Sequence, residues 1–120
     1  MITISVCMIV KDEEMVLERA LKSVERIADE IIIVDTGSTD RTKKIALKYT
    51  DKVYDFVWCD DFAKARNYSF SKATMDYCMW LDADDIISDS DQEGLINLKK
   101  TLSKDTSVVM MKYNAEFDQN

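Results

Sequence analysis

Two patterns of apolar and polar positions alternate along the chain. Nearly uninterrupted apolar runs at Thr3–Val10 and Glu30–Asp35 are typical of strands that are buried on both faces. Each run is followed by a segment with apolar residues at helical spacing, 13–27 after the first run and 40–49 after the second. The sequence therefore predicts a strand followed by a helix, and then the same unit again.

The rest of the chain continues this alternation. We predict further strands at 52–58, 76–82 and 106–117, with helices at 62–73 and 91–102 between them. The strand at 76–82 is the most buried by composition. Strands that alternate with helices over short connections indicate one α/β domain, residues 1–120, with a mostly parallel sheet. Ligands of such sheets bind at the carboxyl ends of the strands.

Polar residues mark three of the predicted helix starts. Asp12 is the expected N-cap of the first helix, either Ser38 or Thr39 that of the second, and Asp61 that of the third. Each has a side-chain oxygen that can accept a hydrogen bond from a free backbone N–H of the first turn.

Composition narrows the classes of function. A net charge of −7 argues against nucleic acids and anionic membrane surfaces as partners. The chain has no histidine, so any catalysis must use carboxylates, a metal or lysine. No apolar run reaches the ~18 residues of a membrane span, and three widely spaced cysteines indicate a reducing cytoplasm.

The acidic cluster of Asp82, Asp84 and Asp85 follows the apolar residues of the fourth predicted strand. In a strand, Asp82 and Asp84 point to one face and Ala83 points away. Two carboxylates on one face attract Mg²⁺ or Mn²⁺, which replaces their repulsion by coordination. The alternative is a solvated turn with helix-capping acids. An EF-hand loop is excluded, because isoleucines occupy the fifth ligand position and the obligatory glycine position.

The segment VDTGSTD at 34–40 is the second candidate. Asp35 closes a buried strand, and Gly37 permits a tight turn before the next helix. A carboxylate there suits the N–H of a base or the hydroxyls of a ribose better than a phosphate, which it would repel. The alternative is a helix-capping turn. Glycine-rich phosphate loops are absent, and the match to the phosphate loop of actin-like ATPases is short.

Arg66 is the third candidate, on a predicted helix with many apolar positions. An arginine near a core face is usually paired with an acid, so a structural ion pair is one interpretation. The other is that Arg66 helps to hold a base or a diphosphate beside Asp35. The segment 11–13, after the first strand, belongs to the same edge of the sheet, with simple helix capping as its alternative.

In this order, the segments CMIVKDEE, EIIIVDTGSTDRT, DDFAKARN and WLDADD resemble the glycosyltransferase family 2 domain, which has the GT-A fold. The resemblance extends from Ile4 to about Ile87. Within the family, the chain is similar to the bacterial SunS-type group. Where that group has Lys-Asn-Glu in the first motif, this chain has Lys-Asp-Glu. The resemblance implies a three-layer αβα sandwich with a mostly parallel sheet.

The resemblance also implies a reaction and its ligands. A sugar would be transferred with inversion from a nucleotide diphosphate sugar, with UDP favoured, to an acceptor that is a glycan, a peptide or a lipid-linked molecule. The cofactor would be Mn²⁺ or Mg²⁺. The roles carry over to Val10, Lys11, Asp12, Glu13, Asp35, Arg66, Asp82 and Ala83 for the nucleotide, and to Asp82 and Asp84 for the metal.

The catalytic base of the family is an acidic residue well downstream of the metal motif. Asp85 and Asp89 are too close to that motif, and the chain ends at Asn120, so no catalytic residue is assigned. We expect the donor-binding half of such an enzyme, as a truncated chain or a short member, inactive by itself. Two alternatives remain open: a receiver-like Mg²⁺-binding signalling module with Asp35 as phosphoacceptor, and a non-catalytic remnant that makes protein contacts.

Overall fold

Four strands form one parallel sheet in the part of the chain that the structure describes. The structure is a computed structural model and describes residues 2–101. The strands are β1 at Ile4–Val10, β2 at Glu30–Asp35, β3 at Val53–Asp55 and β4 at Tyr77–Trp80. Their order across the sheet is β3-β2-β1-β4, and each neighbouring pair is parallel. The predicted parallel sheet is confirmed, while the predicted strand at 106–117 lies outside the described residues.

Helices cover both faces of this sheet. The helices are α1 at Leu17–Val24, α2 at Thr42–Leu47, α3 at Phe62–Lys72 and α4 at Asp89–Thr101. Alternate side chains of β1, such as Val6 and Met8, share one buried core with residues of α1, α2 and α4. On the other face the Cys7 thiol contacts the Ser69 carbonyl of α3 at 3.9 Å. The described chain is therefore the expected three-layer αβα sandwich. None of its helices combines the length and the apolar character that a membrane crossing requires.

Several elements end earlier, or begin later, than predicted. The predicted first helix loses residues 13–16 at its start and 25–27 at its end, and the strand predicted at 52–58 is reduced to β3. The prediction for Asp12 as an N-cap is wrong, because α1 begins only at Leu17, with Val16 at the N-cap position and without a side-chain cap. The predicted caps Ser38 and Thr39 are wrong as well, since α2 begins only at 42. The Asp61 prediction is confirmed by its bond from the Lys64 N–H.

Burial within β4 differs from the prediction. The strand was expected to be the most buried, but its Cys78 is exposed and Tyr77 and Trp80 are half-buried. Within residues 2–101, β4 has one neighbouring strand, whereas β1 and β2 each have two. Composition alone indicated an apolar strand and could not indicate its position in the sheet.

The end of the sheet at which the strands begin is here called the amino edge. Acidic residues at this edge have several hydrogen-bond and ion-pair partners. Glu30 is paired with Lys52 and accepts hydrogen bonds from the Ser5 hydroxyl (2.7 Å) and the Thr74 N–H (2.8 Å). Because these partners come from β1, the segment before β3 and the segment before β4, Glu30 ties neighbouring strands together. This network fixes the strands whose opposite ends carry the candidate site.

Candidate functional site

Two adjoining clefts open at the carboxyl ends of β1, β2 and β3, here called the carboxyl edge. The first cleft has a volume of about 280 Å³, and the second has a volume of about 310 Å³. Residues of the first cleft include Val10, Lys11, Glu13, Thr36, Trp58 and Phe62. Residues of the second include Asp35, Thr36, Gly37, Phe56, Val57 and Trp58. Since Thr36 and Trp58 line both, the clefts form one continuous surface at this edge.

Asp35 lies at the end of β2, where the sequence predicted it, and lines the second cleft. Its Oδ1 accepts hydrogen bonds from the N–H groups of Gly37 and Ser38, both at 2.8 Å. Gly37 adopts a φ of +118°, which favours glycine. Oδ2 is buried and has no hydrogen-bond partner among the described residues. A buried acceptor without a partner costs about 1–3 kcal/mol, so this atom is available for a donor that a ligand would bring.

A set of reciprocal hydrogen bonds joins the loops that follow β1 and β2. The Asp12 N–H donates to Ser38 Oγ at 2.9 Å, and Asp12 Oδ1 accepts from the Thr39 N–H at 2.7 Å. In the same way, the Arg41 N–H donates to Glu14 Oε1 at 2.9 Å. The carboxylate of Asp12 therefore contacts the neighbouring loop. These bonds hold the segment 11–13 against the loop that carries Asp35.

The acidic cluster lies in a turn that follows β4. The strand ends at Trp80, and the Asp85 N–H donates to the Asp82 carbonyl at 3.1 Å. Carboxylate oxygens of Asp82, Asp84 and Asp85 all lie within 4.8 Å of one another, while Ala83 is buried. The two predicted acids do lie together, but the reason given for it was wrong: a turn brings them together instead of strand alternation. The turn also brings in Asp85, which was not among the metal ligands expected from the sequence.

The chemistry of the cluster fits a hard divalent cation. Three carboxylates supply the oxygen ligands that Mg²⁺ and Mn²⁺ prefer. Within residues 2–101 no lysine or arginine forms an ion pair with Asp82 or Asp84. Burial raises the pKa of Glu13, and the charges of Asp84 and Asp82 are among those that raise it further. The negative charge of Asp82 and Asp84 therefore acts on the wall of the first cleft.

Arg66 lies on the exposed side of α3 and stacks on aromatic rings. Its guanidinium carbon is 5.1 Å from the centre of the Phe62 ring and 5.4 Å from that of Trp80. The ion pair considered from the sequence is not found in the part of the chain that the structure describes. Because the Trp80 indole N–H donates to Asp82 Oδ1 at 3.1 Å, Arg66 is linked through Trp80 to the acidic cluster. Within residues 2–101 no hydrogen bond or ion pair joins Arg66 to Asp35.

The site also has an aromatic part that was not predicted from the sequence. Trp58 and Phe62 line the first cleft, and Phe62 packs edge-on against Trp80 with ring centres 5.6 Å apart. A signal was present, because each of the acidic segments at 60–61 and 82–85 has aromatic residues beside it. The spacing along the chain could not show that these rings meet.

Comparisons with known sequences assign relatives to the chain. The sequence model of the family described as glycosyl transferase family 2 matches residues 5–120. The chain is 47% identical over 85 residues to a TPR repeat-containing protein of Synechococcus elongatus. The alignment covers 71% of this chain and 21% of that protein. It is 36% identical over 92 residues to an uncharacterised glycosyltransferase of Rickettsia typhi, and this alignment covers 77% of the chain and 31% of the relative. The SPbeta prophage-derived glycosyltransferase SunS of Bacillus subtilis is 30% identical over 102 residues, covering 83% and 24%. The chain thus spans less than a third of the length of each of these relatives.

Solved structures give the same picture. Residues 1–349 of TarS from S. aureus match with a TM-score of 0.68 at 26% identity, covering 80% of this chain and 31% of that one. Glucosyl-3-phosphoglycerate synthase from Mycobacterium tuberculosis matches with a TM-score of 0.61 at 26% identity, covering 71% and 34%. TarS has been solved in complex with UDP, and the synthase with Mg²⁺ and UDP and with Mn²⁺ and UDP-glucose.

Proposed function

The chain belongs to glycosyl transferase family 2, and we propose that residues 2–101 bind the nucleotide diphosphate sugar donor, together with a divalent cation, for an inverting sugar transfer. One observation carries the proposal. The two clefts and the acidic cluster occupy the same edge of the sheet, and the charge of the cluster acts on Glu13 in the wall of the first cleft. A base and its diphosphate could then lie across one continuous surface.

The base is assigned to the clefts beside β1 and β2. The free Oδ2 of Asp35 would accept an N–H of the base, for which uracil supplies one suitably placed group. The segment Val10, Lys11, Asp12 and Glu13 would form the facing wall, held in place by the bonds between its loop and the Asp35 loop. The binding of UDP by TarS and by the mycobacterial synthase supports UDP as the nucleotide.

The diphosphate is assigned to the side of the site near the acidic cluster. Asp82 and Asp84, with Asp85 beside them, would hold Mn²⁺ or Mg²⁺, and Ala83 lies between these ligands. When bound, the cation neutralises the diphosphate as it leaves the sugar. Arg66, stacked on Phe62 and Trp80 and without an acidic partner in residues 2–101, would supply a further positive charge to the same group.

The transfer itself is proposed for the whole protein. We assign no catalytic base to residues 2–101, and the acceptor, whether a glycan, a peptide or a lipid-linked molecule, has no assigned site in them. The described residues would bind and orient the donor. The receiver-like alternative is set aside, because the family match extends over residues 5–120.

Binding of UDP tests the assignment of the base. We expect the full chain to bind UDP in the presence of Mn²⁺, and Asp35→Asn to weaken that binding about tenfold, since an amide N–H would replace the free acceptor. Asp51→Asn, which makes the same charge change at an exposed position away from the clefts, is the control. Isothermal titration with UDP, GDP and ADP measures the three affinities. Equal affinities of wild type and Asp35→Asn would contradict the assignment.

Thermal stability tests the metal. UDP with Mn²⁺ at about 100 times the dissociation constant should stabilise the full chain by about 2.7 kcal/mol. UDP with EDTA should give a smaller rise in Tm. Asp84→Ala should lose the part of the rise that depends on Mn²⁺. If no nucleotide raises the Tm with or without the metal, the proposed function is wrong.

A further inference from the structure

Trp80 contacts a proposed metal ligand and is held in place on several sides. Its indole N–H donates to Asp82 Oδ1 at 3.1 Å. Its ring packs edge-on against Phe62 and Phe70, with ring centres 5.6 and 6.0 Å away and interplanar angles of 82° and 84°. The guanidinium of Arg66 stacks on it at 5.4 Å. The orientation of the indole, and therefore of its N–H, is fixed by these contacts.

The hydrogen bond from Trp80 orients the Asp82 side chain within the acidic cluster. Three carboxylates within 4.8 Å repel one another, and Asp82 lies in a turn, where no strand pairing orients its side chain. The indole N–H occupies one oxygen of Asp82 and leaves the other open. Hydrogen bonds that orient a ligand in this way are worth 10- to 100-fold in metal affinity.

We infer that Trp80 is a positioning residue, whose indole N–H fixes the Asp82 carboxylate for the divalent cation of the donor site. The inference rests on the proposed function, because it requires a cation at the acidic cluster. It differs from a packing role in one respect. A packing role needs only an aromatic ring at position 80, whereas the positioning role needs the N–H.

Trp80→Phe separates the two roles, since phenylalanine retains a ring for Phe62, Phe70 and Arg66 and lacks the N–H. We expect the Mn²⁺ dissociation constant of the full chain, measured by electron paramagnetic resonance without nucleotide, to rise about tenfold. The Tm of the metal-free variant should stay close to that of the wild type.

The chain offers a matched control in its other tryptophan. The Trp58 indole N–H donates to Asp60 Oδ1 at 3.0 Å, which is the same bond at the same spacing and at a carboxylate outside the acidic cluster. Trp58 lines the clefts assigned to the base, so the comparison is made without nucleotide, and under that condition Trp58→Phe should leave the Mn²⁺ dissociation constant unchanged. An equal loss of Mn²⁺ affinity in both variants would overturn the inference, as would an unchanged affinity in Trp80→Phe.

A measurement on the wild type keeps the inference testable if Trp80→Phe does not fold. The chain has two tryptophans, so its ¹H–¹⁵N spectrum contains two indole signals, which the spectrum of Trp58→Phe assigns. Titration with Mg²⁺ should shift the Trp80 indole signal and leave that of Trp58 in place. A Trp80 signal that does not move at saturating Mg²⁺ would overturn the inference. A wild-type chain that binds neither Mn²⁺ nor Mg²⁺ would instead contradict the metal site of the proposed function.

Discussion

The acidic residues that join the strands at the amino edge differ in their partners from the acidic residues that we assign to the ligand at the carboxyl edge. At the amino edge, Asp29 Oδ2 accepts from the Lys99 ammonium at 2.6 Å and from the Ile4 N–H at 2.9 Å, and Glu30 has its own set of donors. At the carboxyl edge, Asp35 retains an oxygen without a partner in residues 2–101, and within the same residues neither Asp82 nor Asp84 forms an ion pair with a lysine or an arginine. The chain therefore supplies donors to the acids that hold the fold together and leaves the others to a ligand.

Ionisation follows the same division. Burial alone would raise the pKa of Glu30, but hydrogen bonds from Lys52, Ser5 and Thr74 outweigh it and lower that pKa to about 2. At the opposite edge, burial and neighbouring negative charges raise the pKa of Glu13. The charged state is thus stabilised at Glu30 and opposed at Glu13. Acids in the second situation are the better candidates for binding, because a cation would relieve a cost that the fold itself does not.

The largest effect is expected from Glu30→Gln, which breaks the amino edge. The neutral amide loses the charged bonds to Lys52, Ser5 and Thr74, and the lowered pKa of Glu30 corresponds to about 3 kcal/mol of unfolding free energy at pH 7. Urea unfolding measures it. Glu93→Gln, which breaks the exposed ion pair with Arg26, should cost less than about 1 kcal/mol and is the control.

The pH dependence of the unfolding free energy provides a second test of Glu30→Gln. Because the pKa of Glu30 is lower in the folded chain than its ordinary 4.5, its contribution is fully present above about pH 4.5 and is lost as the pH falls towards 2. The difference between wild type and Glu30→Gln should shrink over that range. A difference that stays constant between pH 5 and pH 2 would show that packing, and not the charge, is responsible.

The same substitution at both edges should give effects of opposite sign. Asp29→Asn removes the charge that compensates the nearly buried Lys99 and should cost about 1 kcal/mol. Asp84→Asn relieves repulsion within the acidic cluster and should raise the Tm by about 1 °C in EDTA. Thermal unfolding of both variants in EDTA measures the pair. If both are destabilised, the acids of the cluster have stabilising partners and the contrast between the edges is wrong.

The sequence predicted the parts of the fold that depend on local patterns. Apolar runs located β1 and β2, and the position of Asp61 marked the start of α3. The carboxyl edge was harder, because its loops are shaped by bonds between distant residues. Asp12 and Thr39 are 27 positions apart, so no local pattern could reveal that they meet or that the first helix would begin late.

The acidic cluster shows a similar limit. Strand periodicity predicted that Asp82 and Asp84 lie together, but a turn brings them together, and it brings Asp85 beside them. The end of a strand depends on what its last side chains contact, and the Trp80 bond to Asp82 lies where the chain leaves β4. Residue types thus indicated the chemistry of the site, but only the three-dimensional arrangement showed which acidic residues belong to it.

The smallest effect is expected at Asp12, an acid of the carboxyl edge whose partners come from the chain. Asp12→Asn should change the unfolding free energy by less than about 0.5 kcal/mol, because an amide oxygen can accept from the Thr39 N–H and asparagine tolerates a φ of 52°. Asp12→Ala lacks both properties and should cost about 1 kcal/mol. Urea unfolding compares the two. If asparagine costs as much as alanine, the loop depends on the charge of Asp12, and hydrogen bonding alone does not set this acid apart from the cluster beside it.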